Sequence, residues 1–362
     1  MKKLLVLVLG LILLVSASFS LVGCSKGEEA VETQSETEAE SATEAPETES
    51  ATEASESQSS DLMAADRNGD GKVMIGISVY SAGACSYHST YEATARKTCE
   101  DLGVEFTILD GNCDAVKQNN DIADLIQQNV DGIVCWPLDG ETIAAAYKEA
   151  FDAGIPIINS NSMCGEEAMN YIVGHSGIDD YDMAYRMGEA MAKVLDKDAI
   201  VLGLTGFAGN FTAMQRKQGY TDAMNEAGIE VQEVQPTDDN REKAQSVMED
   251  YLVKYPQIDA VCSANTDTLF GAMNAIKDAG LPMGIENDGM ILGGVDIFAI
   301  AYPAFQEGLI YASCFQDPRL DGKQGVDTLM AYLMGEEIEF YTYFDTPLYT
   351  YDNRMDCPEP CY

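Results

Sequence analysis

Histidine is scarce in this chain, with two in 362 residues, and there is a single tryptophan. Basic residues are scarce as well: 21 Lys and Arg stand against 61 Asp and Glu, for a formal net charge of −40. That deficit excludes nucleic acid, whose recognition needs a basic face to displace condensed counterions, and electrostatic docking on anionic lipid. No H-E-x-x-H, G-x-S-x-G or Lys-bearing glycine-rich phosphate loop is present, so the common hydrolase and nucleotide chemistries lack their residues. Cys85 stands three residues before His88, yet no third group is identifiable to orient such a pair. The expectation is a non-enzyme without a cofactor.

What is present begins with an address. Lys2 and Lys3 precede an apolar run, Leu4 to Val15, too short to span a bilayer comfortably. Leu21-Val22-Gly23-Cys24 follows and resembles the lipobox of bacterial lipoproteins, which implies cleavage before Cys24 and acylation of its thiol; two acyl chains suffice for stable anchoring. Residues 25–60 are almost wholly Ser, Thr, Glu and Ala without an aromatic. Such a segment cannot bury enough apolar surface to fold, and its like charges extend it. The reading is residues 1–24 as a signal peptide and 25–71 as an acidic tether. Residues 62–362 still carry −31, so self-association is disfavoured and a monomer is expected. Asp66-Arg67-Asn68-Gly69-Asp70-Gly71 matches the first half of a calcium loop, but Ile77 occupies the position of the closing Glu; a turn before the first strand is the better reading.

From Val73 onward, short β-branched runs alternate with helical stretches. The strands read as 73–79, 104–109, 132–136, 155–159, 199–204, 229–234, 258–262 and 290–295. Intervening helices read as 89–102, 114–129, 142–153, 181–195, 212–227, 241–254 and 268–279, several closed by Gly. Repeated strand–helix units specify doubly wound parallel sheets, and two successive sets imply two α/β lobes. Ligands in such sheets sit beyond the carboxyl ends of the strands, which selects Tyr80, Asp110, Asp139, Asn161, Asn265 and Asp296.

Trp136-Pro137-Leu138-Asp139, Ala153-Gly154-Ile155-Pro156-Ile157-Ile158, Ala260-Val261-Cys262-Ser263-Ala264-Asn265-Thr266-Asp267, Ala279-Gly280 and Gly294-Val295-Asp296 occur in that order. The set resembles the type I periplasmic binding proteins, in particular the ribose-binding branch of ABC-transporter receptors, over residues 72–345. The resemblance implies two parallel-sheet lobes joined by a three-strand hinge, with crossings near His175, Gln316 and Asp345. The lobes would comprise 72–175 plus 317–345 and 176–316 plus 346–362. It implies an extracytoplasmic, lipid-anchored receptor that closes on a small solute and presents it to a permease; delivery to a chemotaxis or sensor-kinase partner is the alternative.

By the same resemblance, Asp296 and Asn265 clamp hydroxyls, Gln316 lies at the hinge, and Tyr87 and His88 supply the first-lobe aromatic pair. For Asp296 and Asn265 the competing reading is capping of the following helix. Departures from the ribose pattern are as informative. An Asp-Arg pair is replaced by Asn161-Ser162, a second Arg by Met214 with Arg216 two residues on, and the second-lobe aromatic by Asp239. The expected ligand-binding set is Tyr87, His88, Asp139, Asn161, Arg216, Asn265, Asp296 and Gln316, with no metal. With both arginines lost and a field of −31, anions are disfavoured and a neutral polyhydroxylated ligand, a monosaccharide or polyol, is expected. Nine cysteines remain beside Cys24, too scattered for a disulfide framework; Cys357 and Cys361 could close a small loop.

Overall fold

The computed structural model describes residues 62–83, 86–208 and 210–362; Cys24, the acidic segment to Asp61 and Cys85 lie outside them. Strands β1 (Met74–Val79), β3 (Gly132–Trp136) and β4 (Ile157–Asn161) are buried at nearly every position. Unbroken apolar runs give that result when helices cover both faces of a parallel sheet. With β2 (Glu105–Asp110), β5 (Gly174–Gly177) and β11 (Tyr341–Tyr343) they form one sheet in the order β11-β5-β4-β3-β1-β2. A second sheet repeats the plan in the order β12-β10-β9-β8-β6-β7. Its strands are β6 (Val201–Thr205), β7 (Val231–Pro236), β8 (Ala260–Ser263), β9 (Ile291–Gly294), β10 (Ala312–Cys314) and β12 (Leu348–Thr350). Among these described pairs β12 alone runs antiparallel, against β10. The chain is therefore two doubly wound α/β lobes, with strand order reversing at β1/β3 and at β6/β8.

The first lobe carries α1 (Ser86–Leu102), α2 (Ala115–Gln127), α3 (Ala144–Asp152) and α4 (Glu166–Met169). Next come α5 (Asp180–Ala192), α6 (Phe211–Glu226), α7 (Arg241–Lys254), α8 (Thr266–Asp278), α9 (Tyr302–Gln306) and α10 (Pro318–Leu333). Asp114, Asn210 and Asn240 accept backbone N–H groups at the starts of α2, α6 and α7, satisfying donors that a helix end leaves unpaired. α1 starts three residues earlier than the sequence suggested, so Tyr87 and His88 stand in its first turn rather than in a loop. Burial of Tyr87, Tyr91 and Ala95 along one face accounts for the extra turn. α4, α9, α10, β5, β10, β11 and β12 were not read from the sequence: these strands of three or four residues exist only through the partners they pair with.

Three helix pairs approach very closely. A Cβ on Gly219 of α6 would lie 2.3 Å from the Tyr181 carbonyl oxygen of α5, one on Gly271 of α8 would lie 2.3 Å from the Arg241 carbonyl oxygen of α7, and one on Gly322 of α10 would lie 2.3 Å from the Tyr91 carbonyl oxygen of α1. Glycine at these points lets the backbones touch. The chain passes between sheets three times: after β5, between β10 and α10, and between β11 and β12. The crossings are tied together, since Phe344 N–H donates to Gly177 O (3.1 Å) and Phe315 N–H to Pro347 O (2.9 Å). The lobes also meet at their rims. Ser162 Oγ and Thr212 Oγ1 share a hydrogen bond of 3.0 Å, and Asn210 Nδ2 donates to Leu138 O at 3.5 Å.

Candidate functional site

Between the lobes, the carboxyl ends of β4 and β9 face the hinge. β4 ends on a non-glycine residue in the left-handed region, Asn161 at φ 56°, and a second one, Asp296 at φ 66°, stands two residues beyond the end of β9. Asn and Asp tolerate that conformation better than other side chains, at a cost that surrounding structure must offset. The turn aims each side chain inward, and both are buried.

On the second lobe, Arg216 of α6 organises the carboxylates. Its Nε donates to Asp180 Oδ1 at 2.7 Å, and its Nη1 donates to Asp296 Oδ2 at 2.8 Å and to Ala264 O at 3.0 Å. Burial alone would favour the neutral guanidine, but Asp296 and Asp180 outweigh it and hold Arg216 charged. Asp296 Oδ1 has no partner among the described residues. Burial pushes the Asp296 carboxyl up to about 6 against the pull of Arg216. At the hinge, Gln316 is buried and its Oε1 is likewise without a partner.

The first lobe supplies an aromatic wall. His88 stacks on Trp136 with centroids 4.5 Å apart and planes within 4°, and His88 Nε2 is hydrogen-bonded to Tyr80 OH at 2.6 Å. Burial lowers the His88 imidazole to about 4, so it is neutral at pH 7. Trp136 Nε1 donates to Ser162 Oγ at 3.1 Å. Tyr87 OH donates to Asp321 Oδ2 at 3.0 Å, and Asn161 Nδ2 donates to the same oxygen at 2.5 Å. Tyr362 completes the wall from the second lobe. Ala299 N–H donates to its carbonyl (2.7 Å), its ring lies 5.3 Å from Tyr87 and 5.5 Å from Phe298, and its hydroxyl donates to Gln316 O at 2.5 Å.

Of the residues singled out from sequence, Tyr87, Asn161, Asp296 and Gln316 are buried and converge between the lobes. Arg216 stands behind Asp296, with its Nε and Nη1 engaged by protein. Asn265 caps α8, its Oδ1 accepting Thr268 N–H at 2.8 Å, while its Nδ2 donates to Asp239 Oδ1 at 2.8 Å. Asp139 shapes the turn into α3, its Oδ1 accepting the N–H groups of Glu141 (3.0 Å) and Thr142 (2.9 Å). The capping reading is thus realised for Asn265, alongside a second contact that capping does not require. Asp321 and Tyr362 were not singled out. A signal for the first existed: Asp321 is an acid on the α10 face that carries Gly322, Gly325 and Val326, all buried. For Tyr362 there was none.

Among the described residues no group of His, Cys, Asp and Glu could hold a metal ion. In the would-be calcium loop, Asp66 accepts Gly69 N–H and Gly71 N–H, and Asp70 accepts Lys72 N–H, so the carboxylates are consumed by the turn. Cys357 and Cys361 are free thiols, which corrects the expected terminal loop: Cys357 is buried, with its Sγ near Pro358 O at 3.5 Å, and Cys361 is exposed.

Comparison with known proteins agrees with this geometry. The family model of the periplasmic binding protein domain matches residues 75–337. The ribose import binding protein of Escherichia coli (strain K12) is 28% identical over 245 residues, covering 68% of this chain and 80% of that protein. A putative rhizopine-binding protein of Rhizobium meliloti is 28% identical over 264 residues, covering 70% and 82%. Among solved structures, a galactofuranose binding protein superposes with a TM-score of 0.71 at 25% identity, over 78% of this chain and 96% of that one. A solute binding protein from Bacillus halodurans C-125 with bound myo-inositol gives 0.72 at 24% identity, over 80% and 98%, a likeness of fold. Two lobes, a triple crossing and matched strand-end side chains, together with these similarities, place the chain in the periplasmic binding protein family, type I, in its ribose-binding-like branch.

Proposed function

We propose that the protein is the extracytoplasmic substrate-binding component of a sugar ABC transporter, anchored through a lipid on Cys24. It closes its two lobes on a small neutral polyhydroxylated solute, a monosaccharide or polyol, and presents it to a permease. The observation that carries this reading is the pair of buried, unpartnered acceptors at the lobe junction, Asp296 Oδ1 and Gln316 Oε1. A buried acceptor without a donor costs about 1–3 kcal/mol, and solute hydroxyls supply donors in several directions at once. The aromatic rings of Tyr87 and Tyr362 offer apolar faces for the C–H side of a sugar ring. Among the described residues Arg216 is the only buried Lys or Arg, and it serves two carboxylates. A phosphate or carboxylate would therefore find acceptors where it needs donors. In this reading Asp296, Gln316, Asn161 and Tyr87 contact the solute with His88 beside them, while Arg216, Asn265 and Asp139 hold strand ends and loops in place. The bound solute is fixed by population shift toward the closed form, without chemistry.

The test is mass spectrometry of solute retained by the purified protein, followed by calorimetric titration with neutral monosaccharides, cyclic polyols, sugar acids, sugar phosphates and amino acids. A neutral polyol or sugar is expected to bind; binding confined to an acid or phosphate would overturn the reading.

A further inference from the structure

The ribose-like pattern carries a carboxylate at the end of the strand that is β4 here, and this chain has Asn161 in its place. The first lobe nevertheless presents a carboxyl at that spot, delivered from a different element. Asp321 lies in the first turn of α10 and is 0% exposed. The close approach of α10 to α1 at Gly322 sets it beside Tyr87. Its Oδ2 takes both neutral donors available, Tyr87 OH and Asn161 Nδ2, and its Oδ1 has none among the described residues.

Structural economy does not explain this group. A carboxyl buried for stability is paired with a cation or with enough donors to occupy both oxygens. Among the described residues no cation pairs with Asp321, and Asp180 and Asp296 are near enough to disfavour its charge further. Tyr87 and Asn161 both spend their donors on one of its oxygens, which fixes the carboxyl plane and leaves the other oxygen free. Asp296 is built the same way on the opposite lobe: one oxygen held by Arg216, the other unpartnered.

We propose that Asp321 is a ligand-binding residue, the first-lobe counterpart of Asp296, and that its Oδ1 accepts a hydroxyl of the bound solute. This rests on the reading of the cleft as a site for a polyhydroxylated solute. With Gln316 Oε1 between them, the two carboxyls define three acceptors spread over both lobes and the hinge. The solute class that fits is a compact polyol or sugar with hydroxyls at opposite ends of its ring, so that one end meets lobe one and the other meets lobe two.

The experiment is calorimetric titration of the full chain and its Asp321→Asn variant at 25 °C, well below unfolding. The titrant is whichever neutral sugar or cyclic polyol of the panel above binds wild type, together with its monodeoxy analogues. If wild type binds no member of the panel, the reading of the cleft fails, and this proposal with it. If wild type binds, Asp321→Asn is expected to weaken the parent solute about 10- to 100-fold, the range for a hydrogen bond to a charged or strongly polar group. One monodeoxy analogue is expected to bind the variant as well as the parent does, because the lost partners are each other's. Retention of parent affinity within 3-fold overturns the proposal. So does a variant in which every analogue loses the same factor as in wild type, since Asp321 would then act at a distance. Should Asp321→Asn fail to fold, Asp321→Ala, which removes both carboxyl oxygens without adding an amide donor, is titrated in its place, and the same convergence on one deoxy analogue is required of it.

Discussion

Asp296 and Asn265 look alike in the sequence, as polar residues at strand ends, but the structure separates the effects of changing them. Removing the Asp296 side chain takes a partner from buried Arg216 as well as from the proposed solute. Asp296→Ala is therefore expected to lower stability by about 1–3 kcal/mol in addition to weakening binding. Asp296→Asn keeps an oxygen for Arg216 and is expected to lose affinity with a smaller change in melting temperature; denaturant titration and calorimetry on both variants distinguish the two. Asn265→Ala removes a helix cap worth about 1 kcal/mol, whereas Asn265→Ser restores the cap and isolates any contribution to binding. Proton linkage belongs to the same scale. Burial raises Asp321 to about 7 and Asp296 to about 6 in the folded protein, while an unfolded Asp titrates near ~3.9. Between about pH 4 and pH 7 the folded state therefore binds more protons than the unfolded one, and stability falls as pH rises. For Asp321 alone the loss is of order 4 kcal/mol by pH 7. Urea denaturation of the unliganded protein from pH 4 to 7.5 is expected to show this decline, and Asp321→Asn to flatten it. A stability that rises across that window in both proteins would contradict the assignment.

At the scale of elements, helix α10 illustrates what a sequence conceals. Its small and apolar positions Gly322, Gly325, Val326 and Leu329 mark a buried face, but nothing local says that the face meets α1. That contact, with 2.3 Å between a Gly322 Cβ and the Tyr91 carbonyl oxygen, makes Gly322→Ala a backbone clash. A loss of about 1–3 kcal/mol is expected from such overpacking, with affinity falling too, because Asp321 and Tyr87 move apart. Gly103→Ala offers a comparison: it has open space around its Cβ but a φ of 72°, so it is expected to cost about 1 kcal/mol of backbone strain without touching the cleft. Thermal unfolding and titration on the two variants separate packing at the site from strain elsewhere. Eight strands were legible because their runs are rich in β-branched residues and bounded by Gly, Pro or Asp, whereas β5, Gly-His-Ser-Gly, and β10, Ala-Ser-Cys, carry no β-branched residue and were missed. The edge strands β11 and β12 were missed too, since Tyr341 and Tyr343 are exposed and three-residue strands carry no period.

The whole molecule combines a strong negative field with a cleft joined at its rims. A solute at about 100 times its Kd adds ~2.7 kcal/mol of stability by mass action, a melting shift of roughly 5 °C for a protein of this size. Scattering is expected to show a smaller radius with the solute than without, because a solute held by both lobes favours the arrangement in which Ser162 and Thr212 join the rims. Tyr362 is the apolar half of that junction, touching Tyr87 across the lobes and Phe298 and Phe315 on its own side. Tyr362→Ala is thus expected to leave each lobe folded but to enlarge the liganded radius and weaken binding; an unchanged radius and affinity would remove Tyr362 from the closing contact. At the other end, Cys24→Ser is expected to abolish incorporation of labelled fatty acid.

Composition and order of residues determined the two-lobed α/β architecture, the candidate residues at the strand ends and the strongly negative net charge. Those properties are local or additive: buried strands need unbroken apolar runs, helix ends need caps, and net charge is a sum. Only the tertiary structure decided which strand-end groups are spent on the protein and which are left to bind. Arg216 is engaged because Asp180 and Ala264, both more than thirty residues away in sequence, meet its donors, and Asn265 because Asp239 takes its amide while its oxygen caps α8. Asp321 enters the cleft because α10 returns to the first lobe after the hinge and touches α1 at a glycine. Hydrogen-bond satisfaction is a property of three-dimensional neighbours, and no spacing along the chain encodes it.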